Sequence, residues 1–145
     1  MDEKNKIYVS EFLLNEQQEY INKIKTLVSK KIQDKENPLF CLTRTYGCQQ
    51  NENDTERING MLIEMGFTFT DDVKEADVII YNTCAVREHA EQKVFGNIGA
   101  LVQIKREKPS LIIGLCGCMM QQEHIVNEIA SKYRHVNLIF GTHAL

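Results

Sequence analysis

Beyond residue 38 the chain alternates short apolar runs with longer stretches of helical period. Residues 39–46, 67–70, 77–82, 111–115 and 136–140 are the strand candidates. Between them, residues 54–65 place Ile58, Met61, Leu62 and Met65 on one helical face, with Asn53 or Asp54 able to cap the start and Gly66 suited to a left-handed residue past the end. Residues 86–108 carry Ala90, Val94, Ile98 and Leu101 in the same way and stop before Pro109, and residues 122–133 carry Ile125, Val126, Ile129 and Tyr133. Strands that alternate with helices require crossover connections, so the pattern predicts an α/β fold: a doubly wound, mostly parallel five-stranded sheet of flavodoxin or Rossmann type, in the order 2-1-3-4-5.

The first 37 residues are different. They hold seven lysines, seven acids and neither cysteine nor glycine. From Tyr20 the residues Ile21, Ile24, Leu27, Val28 and Ile32 recur at helical spacing, and Asn37-Pro38 ends the run. Residues 1–37 are therefore read as a helical extension, whose narrow stripe packs on its own domain or docks a partner, and residues 38–145 as the domain proper. The chain stops at Thr142-His143-Ala144-Leu145, just after the last strand candidate and without a closing helix, which reads as the boundary of a piece of a longer protein.

With 145 residues, 43% hydrophobic and 26% charged, the chain has the balance of a globular protein with one core. No apolar stretch approaches the ~20 residues of a membrane span, and the N-terminus lacks a signal-peptide run, so a reducing, cytoplasmic setting is expected. The net charge of −3 argues against a stand-alone nucleic-acid binder. Five cysteines, an odd number, speak for metal, redox or buried thiols rather than a disulfide framework.

Three of those cysteines follow strand candidates: Cys48 in TYGCQQN, Cys84 in YNTCAV and Cys118 in GLCGCMMQ. In an open parallel sheet such turns share the carboxyl edge, where these folds bind ligands, and the outer two would stand two strand spacings apart, ~10 Å. Each thiol would also lie near a helix N-terminus, which favours thiolate. Separations of 36 and 34 positions mean that a site is assembled by the fold rather than by a local loop. Three thiolates suit tetrahedral zinc or an iron–sulfur cluster, and three ligands would leave one cluster iron open. Buried inert thiols and a redox pair remain alternatives on spacing alone.

Cys116 is expected to stay in the strand end and Cys41 to be a core residue. Gly47 and Gly117 precede candidate ligands and allow positive φ. Gly96 and Gly99, one turn apart in a helix, are expected to allow close helix–sheet packing. Asn51, Asn82 and Gln121 are candidate donors to a bound group, or surface and capping residues. His89, His124, His135 and His143 lack ligand spacing, and Glu52, Asp54 and Glu56 fit a helix start rather than catalysis. Neither GxGxxG nor GxxxxGK[ST] occurs.

The stretches TYGCQQNENDTERINGML, VIIYNTCAVREHAEQKVFGNIG and IIGLCGCMMQ resemble, in order and spacing over most of residues 43–121, the N-terminal domain of the methylthiotransferases. The middle stretch favours the branch acting on dimethylallyladenosine in tRNA. Gln50 stands where that family usually has methionine, two positions after Cys48, whose thiol is intact. The resemblance implies that Cys48, Cys84 and Cys118 bind an auxiliary 4Fe–4S cluster. It further implies a parent enzyme that adds a methylthio group to the adenosine beside the anticodon, with S-adenosylmethionine as methyl donor and radical source.

That chemistry needs a second 4Fe–4S cluster on a Cys-x-x-x-Cys-x-x-Cys motif, which this sequence lacks, as it lacks the family's RNA-binding C-terminal domain. Residues 38–145 hold ten basic and thirteen acidic side chains, consistent with tRNA affinity residing elsewhere. The chain is thus expected to hold the sulfur-side cluster, to partner a radical S-adenosylmethionine domain in cis and tRNA through the parent, and not to turn over alone. The competing readings are a zinc or thiol-based structural module and a metal-free flavodoxin-like interaction domain.

Overall fold

In the computed structural model every strand pairing is parallel, and the five strands lie in the order β2-β1-β3-β4-β5. The described residues are 38–47, 49–84 and 88–140, with residues 22, 24–30 and 33 ahead of them; for 49–51 and 88–91 only the backbone is described. The elements are β1 (Phe40–Thr45), α1 (Gln49–Met65), β2 (Thr68–Phe69), β3 (Val78–Thr83), α2 (Glu88–Glu107), β4 (Ile112–Gly117), a 3-10 turn (Cys118–Gln121), α3 (Glu123–Lys132) and β5 (Leu138–Phe140). The doubly wound order expected from the alternation is the one observed.

Strand periodicity divides the core into two layers. On one face Leu42, Ile79, Tyr81, Ile113, Leu115 and Ile139 pack with Val94, Ile98 and Leu101 of α2 and Ile125, Val126 and Ile129 of α3. On the other, Cys41, Val78, Ile80 and Cys116 meet Ile58 and Leu62 of α1. All six residues of β3 are buried, as a central parallel strand covered on both faces requires. Because α1 lies on one face and α2 and α3 on the other, the winding reverses between β1 and β3.

α1 begins at Gln49 rather than at residue 54, so Asn53 and Asp54 sit inside the helix and not at its start. Its first turns are polar and carry no apolar period, which hid them. Its end is as expected: Gly66 has φ +103°, its N–H donates to Ile63 O at 3.0 Å, and Phe67 N–H donates to Leu62 O at 3.1 Å. β2 is shorter than its candidate run, and β4 is longer, reaching Gly117 instead of turning after Leu115.

Gly96 and Gly99 do not mediate close packing, since a Cβ at either position would meet nothing within 4 Å. Of the N-terminal extension, residues 24–30 are helical. Val28 is buried, and its Cγ1 would stand 3.5 Å from a Cβ on Gly66, so the helix rests by the end of α1. Ile24 and Leu27 remain 39% and 60% exposed, so the stripe is only partly used on the domain itself. Ile21 and Ile32 lie outside the described residues, as do residues 1–20 and 141–145. Among the described residues no helix is long and apolar enough to cross a membrane.

Candidate functional site at the carboxyl edge

The register across the three central strands sets the site. Thr45 of β1 is level with Asn82 of β3, and Thr83 of β3 is level with Gly117 of β4. Cys84 and Cys118 each follow directly on the last residue of β3 and β4, so both leave the sheet at the same level of the same edge. β1 ends beside β3 at this edge, and its Tyr46 N–H donates to Asn82 O at 2.7 Å. Gly47 follows with φ +137°, and Cys48, the third candidate, lies outside the described residues. The gap between β1 and β3, where the winding reverses, is the place at which open α/β sheets bind ligands.

Cys84 is buried and Cys118 exposed; neither is in a disulfide. α2 begins four residues after Cys84, at Glu88, whereas Cys118 opens the 3-10 turn that precedes the start of α3 at Glu123. Cys41 is fully buried at the opposite end of β1, and burial pushes its thiol up to about 12. Cys116 is fully buried in β4. Burial raises its thiol's pKa above the ordinary range, and the negative charge of Asp54 adds to that effect. Among the described residues no group of three or more His, Cys, Asp or Glu side chains stands together as a metal site.

What the structure adds is a polar layer beneath the thiols. Among the described residues the buried polar or charged side chains are Asp54, Thr55, Asn82 and Thr83. Two come from α1 and two from the end of β3. Thr55 Oγ1 lies 2.7 Å from Thr45 Oγ1 and accepts a hydrogen bond from Asn82 Nδ2 at 3.0 Å. Thr83 Oγ1 donates to Cys116 O at 2.7 Å, which extends the link to β4. A Cβ on Gly117 would fall 2.0 Å from Thr83 O and 2.6 Å from Asn82 Oδ1, and Gly117 has φ +101°; only glycine fits there.

Sequence reasoning singled out Asn82 but passed over Thr45, Thr55 and Thr83, and it assigned Asp54 to a helix start. The missed signal was polar: Asn82-Thr83 closes a strand otherwise made of Val78-Ile79-Ile80-Tyr81. Tyr46 also braces this edge, accepting from Asn97 Nδ2 at 2.8 Å and meeting Tyr81 edge-on at a 5.4 Å centroid separation. His135 is satisfied by Ile98 O at 2.7 Å and stands apart from the thiols in sequence and element. The side chains of Asn51 and His89, and all of His143, lie outside what is described.

The model of Uncharacterized protein family UPF0004 matches residues 40–141. The chain is similar to proteins named tRNA-2-methylthio-N(6)-dimethylallyladenosine synthase. It is 52% identical over 145 residues to that of Acetivibrio thermocellus, covering 99% of this chain and 30% of the relative. With that of Alkaliphilus oremlandii it shares 49% over 145 residues, again 30% of the relative. The Halalkalibacterium halodurans protein is 62% identical over 102 residues, which is 70% of this chain and 19% of that one. The chain thus spans under a third of the length of these relatives.

Proposed function

The chain belongs to Uncharacterized protein family UPF0004, and from its similarity to the tRNA-2-methylthio-N(6)-dimethylallyladenosine synthases and the placement of its cysteines we propose that it is the auxiliary 4Fe–4S cluster-binding domain of a tRNA methylthiotransferase. Cys48, Cys84 and Cys118 are its three ligands. The observation that carries the reading is the register: Cys84 and Cys118 leave β3 and β4 level with one another, and the turn holding Cys48 leaves the adjoining strand at the same edge. The donor set fits the group. Thiolates are the soft ligands that iron–sulfur clusters take, and Gly47 and Gly117, each with positive φ just before a candidate ligand, let main-chain N–H groups approach.

A cluster held by three thiolates supplies an iron with an open position at which a sulfur species can be held. Around it the chain contributes rigidity. The turn after β1 is held by Tyr46, the end of β3 by Asn82 and Thr83, and Cys116 and Cys41 stay in the core with their thiols protonated. Catalysis belongs to the longer protein. There a second cluster and S-adenosylmethionine on another domain, with tRNA bound largely outside this domain, would methylthiolate N6-dimethylallyladenosine next to the anticodon in the cytoplasm. The family match begins at residue 40, where β1 begins, which supports residues 38–145 as the domain and 1–37 as an extension.

Anaerobic reconstitution with iron and sulfide tests this. The chain should take up iron and sulfide in equal amounts with a visible charge-transfer spectrum. Alanine at Cys48, Cys84 or Cys118 should abolish uptake, while Cys116→Ala should retain it. Uptake of zinc without sulfide would replace this reading by the structural-module one, and loss through Cys116→Ala would move the ligand by two residues.

A further inference from the structure

The ends of β1, β3 and β4, the strands that lead to the three cysteines, are cross-linked through side-chain polar atoms, and two of the links meet on one hydroxyl. Thr55 lies on α1, the helix that follows Cys48, and is nine-tenths buried. Its Oγ1 reaches Thr45 Oγ1, at the end of the strand that precedes Cys48, and receives Asn82 Nδ2, two residues before Cys84. The same Asn82 has its Oδ1 2.6 Å from where a Cβ on Gly117, the residue before Cys118, would stand. Thr83, bonded to Cys84, donates to Cys116 O two residues before Cys118. At the opposite edge the side-chain bonds to these strands come from Asp77 and Asn137, which accept from backbone N–H groups and use no hydroxyl.

The geometry points to Thr55 and Asn82 as positioning residues that hold the three cysteine-bearing turns at one mutual spacing, so that metal binding by the thiols depends on the Thr55 hydroxyl rather than on its bulk. The inference rests on the cluster-binding reading above. Its physical basis is that three turns on three strands have no covalent tie, and a soft metal centre tolerates little misplacement of its ligands. A hydroxyl with one proton and two lone pairs can serve β1 and β3 at once, whereas a methyl of equal size can serve neither.

The test uses the whole chain in four forms: unaltered, Thr55→Val, Thr55→Ser and Thr45→Val. Two probes are applied anaerobically: cobalt(II), read by its thiolate charge-transfer absorption, and iron with sulfide, read by content and visible spectrum. Thr55→Val should weaken cobalt binding by about 10–100-fold, the range for losing a group that supports metal ligands, while Thr55→Ser recovers most of it. Thr45→Val, at a half-buried site, should fall between them.

Thr55→Val binding like the unaltered chain, or Thr55→Ser as poor as Thr55→Val, overturns the inference. Should Thr55→Val fail to fold, Thr45→Val decides: unchanged cobalt affinity overturns the inference and a loss supports it. If the unaltered chain binds cobalt but no iron–sulfide, the cluster reading fails, and the cobalt affinities of the variants still judge the positioning role. If it binds neither, the thiols do not converge and both readings fall.

Discussion

The two edges of the sheet use polar groups in opposite ways. At the amino edge Asp77 pairs with Lys108 at 2.8 Å and its other oxygen accepts from Phe40 N–H at 2.8 Å, while Lys108 Nζ also reaches Glu75 O and Ala76 O. Asn137 Oδ1 similarly accepts from Ile113 N–H at 2.9 Å and from Lys105. Apart from Asn137 these groups are charged, and all are partly solvated and occupied with strand starts and helix ends: the Asp77 and Lys108 side chains are 24% and 30% exposed. At the carboxyl edge the polar groups are short, neutral apart from Asp54, and buried. Burying hydroxyl and amide groups is costly unless they are satisfied, so a sheet needing only stability would carry valine or isoleucine there. The amino edge closes the fold, and the carboxyl edge presents something.

That contrast can be broken most forcefully at Gly117. Gly117→Ala, with its new methyl driven into Thr83 O and its φ positive, should destabilise the domain by about 2–4 kcal/mol and abolish iron uptake. An unchanged Tm would mean that β4 can leave the register that defines the site. At the other edge, Asp77→Ala removes an ion pair and a backbone cap and should cost about 1–3 kcal/mol in urea unfolding, with iron uptake in the folded fraction unaffected. A variant that loses uptake in proportion to stability would erase the distinction between the edges.

Alkaline pH should weaken the core on both faces of the sheet. Cys41 is raised from 9.0 to about 12 by burial, and Tyr81 from 10.0 to about 12 by burial and the neighbouring Tyr46. The folded state therefore keeps protons that the unfolded state has released. Stability is intact below about pH 9 and falls as pH rises towards 12, at up to about 1.4 kcal/mol per pH unit for each group. Denaturant midpoints measured from pH 8 to 11 check this, and Cys41→Val should flatten the slope; a flat profile in the unaltered chain would contradict the burial of these groups. The smallest effect is expected at Gly96, which is exposed with open space around it. Gly96→Ala should stabilise α2 by about 0.5–1 kcal/mol, read as a slight rise in Tm. A fall would show that this face of α2 is occupied in solution.

The fold was legible because apolar positions report on packing. Ile58 and Leu62 marked the face of α1, Val94, Ile98 and Leu101 that of α2, and the uninterrupted run Val78-Ile79-Ile80-Tyr81 a strand covered on both sides. The polar half of the site was not legible. Asp54 and Thr55 look in sequence like a helix start, since a buried hydroxyl and a capping hydroxyl have the same letter; only the earlier beginning of α1 at Gln49 turns them inward. β4 outran its candidate run because Thr83↔Gly117 pairing and the Thr83 side chain extend the ladder past Leu115. The glycines of α2 misled in the opposite sense, because a missing side chain signals close approach only where a neighbour is near.

A crystal structure of the anaerobically reconstituted chain, with anomalous scattering recorded at the iron edge, tests directly whether the carboxyl edge gathers Cys48, Cys84 and Cys118 around one iron–sulfur cluster. One compact iron peak bonded to the sulfurs of Cys48, Cys84 and Cys118 is expected, with Cys116 still buried in β4. Iron held through Cys116, or any of the three sulfurs more than ~15 Å from the other two, about three strand spacings, would contradict it.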